Sequence, residues 1–360
     1  MKTLHQFLHD ERQLPAREGA DLARVIEAIA AECVTIADTI ARGALAGALG
    51  EAGSINVQGE SQKKLDVIAH ETMLRAAKAA GSVAALASEE ADTIVPIGDP
   101  AGLARYLLLV DPLDGSSNLD CNVTVGTIFS VLPRKGTAEI TERDFLQKGR
   151  AQLAAGYVLY GPSTMLVLTV GRGTHGFTLE RGELLGELPG GRRPQFVLTH
   201  PSLKVAETTR EYAVNAANAR FWEPPVARYV REVQAGREGA RGADFNTRWV
   251  ASLVVDAQRI LSRGGIYLYP KDARYTGGRL RLMYEANPIG WLIEQAGGRV
   301  STGRESLLDV VPQNLHQKTP LLFGAAQEVV RLMRYHAEHD QGLAEEYMSP
   351  LFGKRELFAV

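Results

Sequence analysis

The sequence predicts an α/β protein, and three observations carry that prediction. Apolar residues make up 45% and charged residues 23% of the 360, enough to bury a large interior beneath a polar surface. Apolar side chains recur at three- and four-residue steps in some segments and form short continuous runs in others, the marks of helices and of buried strands. Both kinds of segment occur on either side of a composition shift near Pro194–Pro201, which divides the chain into an N-terminal domain, residues 1–200, and a C-terminal domain, residues 201–360.

The first periodic segment runs from about Ala20 to Arg42, with Leu22, Val25, Ile26, Ile29, Cys33, Ile36 and Ile40 on one helical face. Gly43–Gly59 is rich in Gly and Ala and predicts no regular element; loops of that length often serve as lids. A second helix starts near Leu65, turns Ile68, Met73, Ala76 and Ala77 inward, and ends at Gly81. Ser82–Ala87, Tyr106–Val110, Thr127–Leu132, Tyr157–Tyr160 and Met165–Val170 read as short strands. Turns at Gly171, Gly173, Gly176 and Gly182 extend them as an antiparallel meander. Beyond Pro201, Arg220–Gln234 and Thr247–Leu261 predict helices, and Ile266–Tyr269 and Leu280–Tyr284 predict strands. Pro288–Ala296 is a helix closed by Gly297-Gly298, Leu321–Gly324 a last strand and Ala326–His336 a last helix.

Forty basic against forty-two acidic side chains leave a net charge of -2, which argues against a nucleic-acid partner. No apolar stretch approaches the ~20 residues that cross a bilayer, so no membrane partner is expected. Met1–Gln13 carries His5, His9, Asp10, Glu11 and Arg12 with no apolar core, unlike a secretory leader. With only Cys33 and Cys121, a disulfide framework is excluded and a cytoplasmic location is the expectation.

The chemistry concentrates in Val110-Asp111-Pro112-Leu113-Asp114-Gly115-Ser116-Ser117-Asn118, which follows a strand and so lies at the strand end where α/β sheets place ligands. Asp111, Asp114 and the Leu113 carbonyl form an oxygen-only set suited to Mg²⁺ or Mn²⁺. Gly115-Ser116-Ser117 leaves backbone N–H groups free to meet an anion. An isolated Asp-Gly turn more often merely caps a helix, but this longer run behind a strand is far more specific. Ser88-Glu89-Glu90 follows a strand leading to the same edge, Glu285 stands at a strand-to-helix junction, and Asp66 opens the second helix beside Lys63 and Lys64.

Asp111–Asn118 resembles the signature of the lithium-sensitive, magnesium-dependent phosphatases, and most closely that of class I fructose-1,6-bisphosphatase. Lys63–Asp66, Ser88–Glu90, Ala154–Gly161, Gly264–Pro270 and Tyr284–Pro288 support it in family order, from roughly the first helix to the last. The resemblance implies a five-layered α-β-α-β-α fold of two packed sheet-and-helix halves and a homotetramer. It implies Mg²⁺-dependent hydrolysis of the 1-phosphate of fructose 1,6-bisphosphate, by direct attack of water, in gluconeogenesis or the Calvin cycle. Carried over residue by residue, Glu89, Glu90, Asp111, Asp114, Glu285 and the Leu113 carbonyl are the ligands of two or three Mg²⁺, with Mn²⁺ as a substitute. Asp66 and Glu90 accept the proton of the attacking water, and Asp114, Gly115, Ser116 and Ser117 hold the scissile phosphate. Asn215, Arg248, Trp249, Tyr267, Leu268, Tyr269 and Arg279 form the sugar and distal-phosphate site, with Arg248 reaching it from a neighbouring subunit. Charge counting agrees: five carboxylates in one cleft stay ionised together only beside cations.

Trp249 stands where the family usually has a tyrosine, Asn218 where animal members have another, and Arg279 replaces a lysine. Sedoheptulose 1,7-bisphosphate is therefore expected as an additional substrate. Arg105 and Tyr106 match positions that contact the allosteric nucleotide AMP. The turn that would hold its phosphate reads Ala20-Asp21-Leu22-Ala23, with an acid and no hydroxyl, so AMP inhibition is expected to be weak or absent. The competing readings are an inositol or nucleotide-bisphosphate phosphatase of the same superfamily, and a catalytically silent metabolite sensor.

Overall fold

The computed structural model describes residues 1–14, 16–48, 50–55, 61–98, 104–136, 139–182 and 193–343. An eight-stranded sheet runs from edge to edge through Gln195–Leu203, Thr174–Glu180, Thr164–Thr169, Ala154–Tyr160, Val125–Pro133, Tyr106–Asp114, Val83–Ser88 and Val95–Pro96. Val83–Ser88 pairs in parallel with Tyr106–Asp114, so Glu89 and the Asp111–Asp114 segment lie at the same, C-terminal end of neighbouring strands. A five-stranded sheet follows, in the order Asn246–Thr247, Glu211–Val214, Ile266–Tyr269, Leu321–Gly324 and Arg299–Ser301.

The two-residue period of the strands builds the layers. Val125, Phe129 and Val131 share a core with Ile26, Ile29, Leu65 and Met73 of the helices Ala16–Arg42 and Lys64–Ala80. Ile128 faces the other way and, with Tyr157 and Val167, meets Val254, Ile260, Ile289 and Leu292 of the helices Leu253–Arg263 and Asn287–Gln295. These two helices also cover Tyr267, Leu321 and Phe323 of the small sheet. Its far face, Ile266, Leu268 and Leu322, packs on Val226, Tyr229, Val329 and Leu332 of Pro224–Gln234 and Ala326–Asp340. The result is the five-layered order that the resemblance implies. Phe129 and Phe323 are fully buried, and truncating either to alanine would cost about 3–5 kcal/mol.

Several predicted elements are corrected. Gly43–Gly59 carries a strand, Glu51–Ile55, paired antiparallel with Ser61–Lys63; positions 49 and 56–59 of the expected loop lie outside the described residues. Gly176 is not a turn but sits inside Thr174–Glu180, where a Cβ would come within 3.1 Å of His200 Cβ. Pro224 and Pro225 fill the first helical positions, so the helix predicted from Arg220 begins later, at Pro224.

Two corrections shape the site. Thr247–Leu261 is not one helix: Ala251 adopts a left-handed φ of 62°, and the helix starts at Leu253 behind Ser252. Arg248 and Trp249 therefore lie on the connecting loop. Leu280–Tyr284 is a strand only at Leu280–Arg281, after which Leu282–Ala286 coils into a π-helical turn that runs straight into Asn287–Gln295.

Candidate active site

Tyr106–Asp114 is buried along its whole length, and its pairing with Val125–Pro133 slips register between Asp111 and Asp114. The bulge re-aims the strand end. The Leu113 N–H donates to Asp111 Oδ1 at 3.0 Å, while Asp111 Oδ2 is buried with no donor. Glu285 arrives from the π-helical turn, a geometry often found at functional sites, and its Oε2 accepts from the Arg281 N–H. Carboxylate oxygens of Asp111, Asp114 and Glu285, all buried, lie within 4.8 Å of one another.

Burial pushes the Asp111 and Glu285 carboxyls well above the usual carboxylate range, and the nearby Glu89 pushes both further. Burial raises Asp114 too, against the Val254 N–H and the Ser252 hydroxyl, which favour its charged form. Three carboxylates this close do not stay ionised at neutral pH without a cation between them. The orphaned Asp111 oxygen and the all-oxygen donor set both fit a hard divalent cation.

Around this trio opens a cleft of about 300 Å³, lined also by Asp66, Glu89, Glu90, Leu113, Gly115, Ser116, Ser117, Tyr269 and Arg279. Asp66 is the third residue of Lys64–Ala80, where its Oδ2 accepts from the Lys63 N–H at 2.7 Å and closes the helix start. Burial pushes its carboxyl up to about 6 against that hydrogen bond, and Glu90 adds to the rise. Gly115 turns the chain at φ 77°, and a Cβ there would sit 3.0 Å from Ser252 Oγ, so the position needs glycine. Asn118 Nδ2 donates to the Ala251 carbonyl at 3.0 Å, tying this turn to the loop that carries Ser252.

The remaining sequence-derived residues divide. Trp249 stacks on Tyr267 at 5.6 Å between ring centroids and meets Tyr269 edge-on at 5.5 Å, forming an aromatic cluster behind the cleft. Tyr267 belongs to the central core, and the Leu268 side chain points into the opposite core, leaving only its backbone for a ligand. Asn215 Oδ1 accepts from the Ala217 N–H and caps the short helical turn Ala216–Phe221. Arg248 does not line the cleft but donates to Glu211 at 3.1 Å on a half-exposed loop. Arg105 and Tyr106 begin the strand whose other end holds Asp114, roughly 25 Å away.

Sequence reasoning missed Tyr275, Arg281 and Lys318, which line the cleft, and Ser252 behind it. Arg281 stands 3.7 Å from Glu89, and its spacing from Arg279, two residues along an extended run, was the available signal. Tyr275 supports the Arg279 guanidinium 3.7 Å from its ring centroid; nothing local in the sequence marks that contact or the Ser252–Asp114 bond.

Family comparison decides what this geometry belongs to. A model described as fructose-1-6-bisphosphatase, N-terminal domain, matches residues 2–187, and one described as fructose-1-6-bisphosphatase, C-terminal domain, matches residues 205–337. The chain belongs to the fructose-1,6-bisphosphatase family. It is 50% identical to fructose-1,6-bisphosphatase class 1 3 of Methylibium petroleiphilum, with 99% of this chain and 97% of that protein covered. Against fructose-1,6-bisphosphatase class 1 of Methylacidiphilum infernorum the identity is 48%, with 99% and 98% covered. The crystal structure of Leishmania major fructose-1,6-bisphosphatase in holo form superposes with a TM-score of 0.83 at 34% identity, covering 93% of this chain and 99% of that one. Membership in the fructose-1,6-bisphosphatase family bears out the resemblance read from Asp111–Asn118 and makes the chain a phosphoric monoester hydrolase. Among the described residues, no helix is long and apolar enough to cross a membrane.

Proposed function

We propose that the chain hydrolyses the 1-phosphate of D-fructose 1,6-bisphosphate to fructose 6-phosphate and phosphate, by direct attack of water in the cleft around Asp111, Asp114 and Glu285. The observation that carries this reading is the buried trio of carboxylates beside the Gly115-Ser116-Ser117 turn, cation ligands next to anion donors. Two or three Mg²⁺, held by Glu89, Glu90, Asp111, Asp114, Glu285 and the Leu113 carbonyl with Mn²⁺ able to substitute, supply when bound the lowered pKa of water and the neutralisation of phosphoryl charge.

The chain's own residues do the rest. Asp66 and Glu90 face the cleft from two different elements and take the proton of the attacking water; a carboxyl with a pKa near 6 suits a base at neutral pH. Backbone N–H groups of Gly115, Ser116 and Ser117 orient the scissile phosphate. Tyr269 and Arg279 hold the distal phosphate, with Arg279 kept in place by the Tyr275 ring. Tyr267 and Trp249 buttress Tyr269, Leu268 contributes through its backbone, and Asn215 faces the sugar. Arg248, half exposed and outside its own cleft, serves the cleft of a neighbouring subunit in a homotetramer. Sedoheptulose 1,7-bisphosphate is a second substrate, and the products enter gluconeogenesis or the reductive pentose cycle.

A phosphate-release assay with Mg²⁺ tests this against fructose 1,6-bisphosphate, sedoheptulose 1,7-bisphosphate and inositol monophosphate. Turnover of the first is expected to exceed that of the third by orders of magnitude. Preference for inositol monophosphate, or no release from any of them, would overturn the reading.

A further inference from the structure

From the sequence, the opening residues serve only to argue against a leader; in the structure they hold a second cluster of ligand-type side chains, remote from the acidic cleft. Thr3 caps the short helix Leu4–Leu8, exchanging bonds with Gln6. Leu4, Phe7 and Leu8 are buried, Phe7 packs edge-on against Phe177 at 5.2 Å, and the Leu198 N–H donates to the Lys2 carbonyl at 2.8 Å. This segment is docked on the large sheet, so its outward residues have fixed positions. Two of them, His5 and His9, stand one helical turn apart with ring centroids 4.3 Å apart, and both face Glu27 of the long helix Ala16–Arg42. Glu27 Oε1 lies 2.8 Å from His5 Nδ1 and 3.5 Å from His9 Nε2, and one ligand atom from each residue falls within 4.8 Å of the other two.

The geometry points to a divalent transition-metal site of the zinc type, formed by His5, His9 and Glu27. Two imidazoles and one carboxylate are a donor set that zinc accepts, with a fourth position left to water. Zinc–ligand bonds of about 2.0–2.1 Å in a tetrahedron place ligand atoms about 3.3 Å apart. The two Glu27–histidine spacings, 2.8 and 3.5 Å, bracket that value, and the His5 and His9 side chains, 71% and 42% exposed, have room to close on a shared ion. A surface ion pair is the competing explanation, but it needs only one imidazole per carboxylate, and protonating both rings would set two like charges side by side. Nitrogen donors also separate this site chemically from the all-oxygen cleft, which suits harder ions. Bound metal would fasten Leu4–Leu8 to Ala16–Arg42 in the folded state alone, and so stabilise it by mass action.

The test uses the tag-free full-length protein with Mg²⁺ saturating, and follows Zn²⁺ binding by calorimetry alongside Cu²⁺ paramagnetic resonance. The wild type is expected to show a Zn²⁺ event that weakens by more than about tenfold in His9→Gln and again in Glu27→Gln, because losing a ligand costs more than losing its outer partner, itself worth ~10–100-fold. Cu²⁺ is expected to show nitrogen coupling that the His5→Gln/His9→Gln double variant loses while phosphate release stays unchanged. Equal Zn²⁺ affinity in wild type and double variant, or nitrogen coupling that survives in the double variant, would overturn the assignment.

Discussion

Ser252 Oγ donates to Asp114 Oδ2 at 3.0 Å, and the Val254 N–H donates to the same oxygen at 2.9 Å. The start of the helix Leu253–Arg263 thereby holds Asp114, one of whose carboxylate oxygens lies within 4.8 Å of oxygens of Asp111 and Glu285. Ser252→Ala removes the hydroxyl and keeps the N–H. The Mg²⁺ concentration for half-maximal activity is expected to rise about tenfold or more. Unfolding stability is expected to fall by only about 1 kcal/mol. Metal titrations of activity and denaturant melts read the two effects separately.

Asp66→Asn keeps an acceptor for the Lys63 N–H, so the helix start survives. It removes one of the two proton acceptors, leaving Glu90. A fall in kcat of about 10²–10⁴-fold is expected at saturating Mg²⁺ and substrate, with little change in the Mg²⁺ dependence. Since the ionised carboxyl is the working form, activity of the wild type should rise with pH through Asp66's titration. That limb lies at or below about 6, because cations bound nearby favour the charge. Near-normal turnover by the variant would rule Asp66 out as an acceptor.

His336 offers a pH test remote from the cleft. It is buried, and both ring nitrogens lack a partner. Burial, helped by Arg304, pushes its pKa down to about 4 from the ordinary 6.5. The unfolded chain therefore binds more protons between those values, so His336's contribution is complete above 6.5 and is lost as pH falls through about 4. The full swing is about 3 kcal/mol. His336→Leu should flatten that part of the stability curve in urea melts at pH 4.5, 5.5 and 6.5. His175 and His70, lowered in the same direction by burial, keep their own slopes in the variant.

AMP is expected to inhibit weakly. Arg105 Nη1 lies 3.9 Å from Asp21 Oδ2, so a carboxylate already faces the cation that would meet a nucleotide phosphate. An inhibition constant in the micromolar range would contradict this.

Asp111 and Asp114 were legible because bulge, turn and ligands lie in one contiguous run, and local chemistry sufficed. Glu285 was legible as a residue at a junction, but the π-helical turn that delivers it was not: Leu282, Met283 and Tyr284 are all buried, and a run buried on every side looks the same as strand or as coil. Arg248 and Trp249 were read into a helix because Val250, Leu253 and Val254 continue a helical period. The left-handed Ala251 and the Ser252–Asp114 bond, which stop it, are tertiary facts. The outward turn of Leu268, next to the inward Tyr267 and Tyr269, was available from strand alternation alone.

The central claim is that buried carboxylates hold divalent cations on which phosphate release depends. Stripping the protein with a chelator and adding Mg²⁺ back, beside Glu285→Gln, tests it most directly. Release from fructose 1,6-bisphosphate should vanish without metal, return fully with Mg²⁺ in the wild type and stay lost in the variant. Release that continues in chelator, or that survives Glu285→Gln unchanged, would contradict the account.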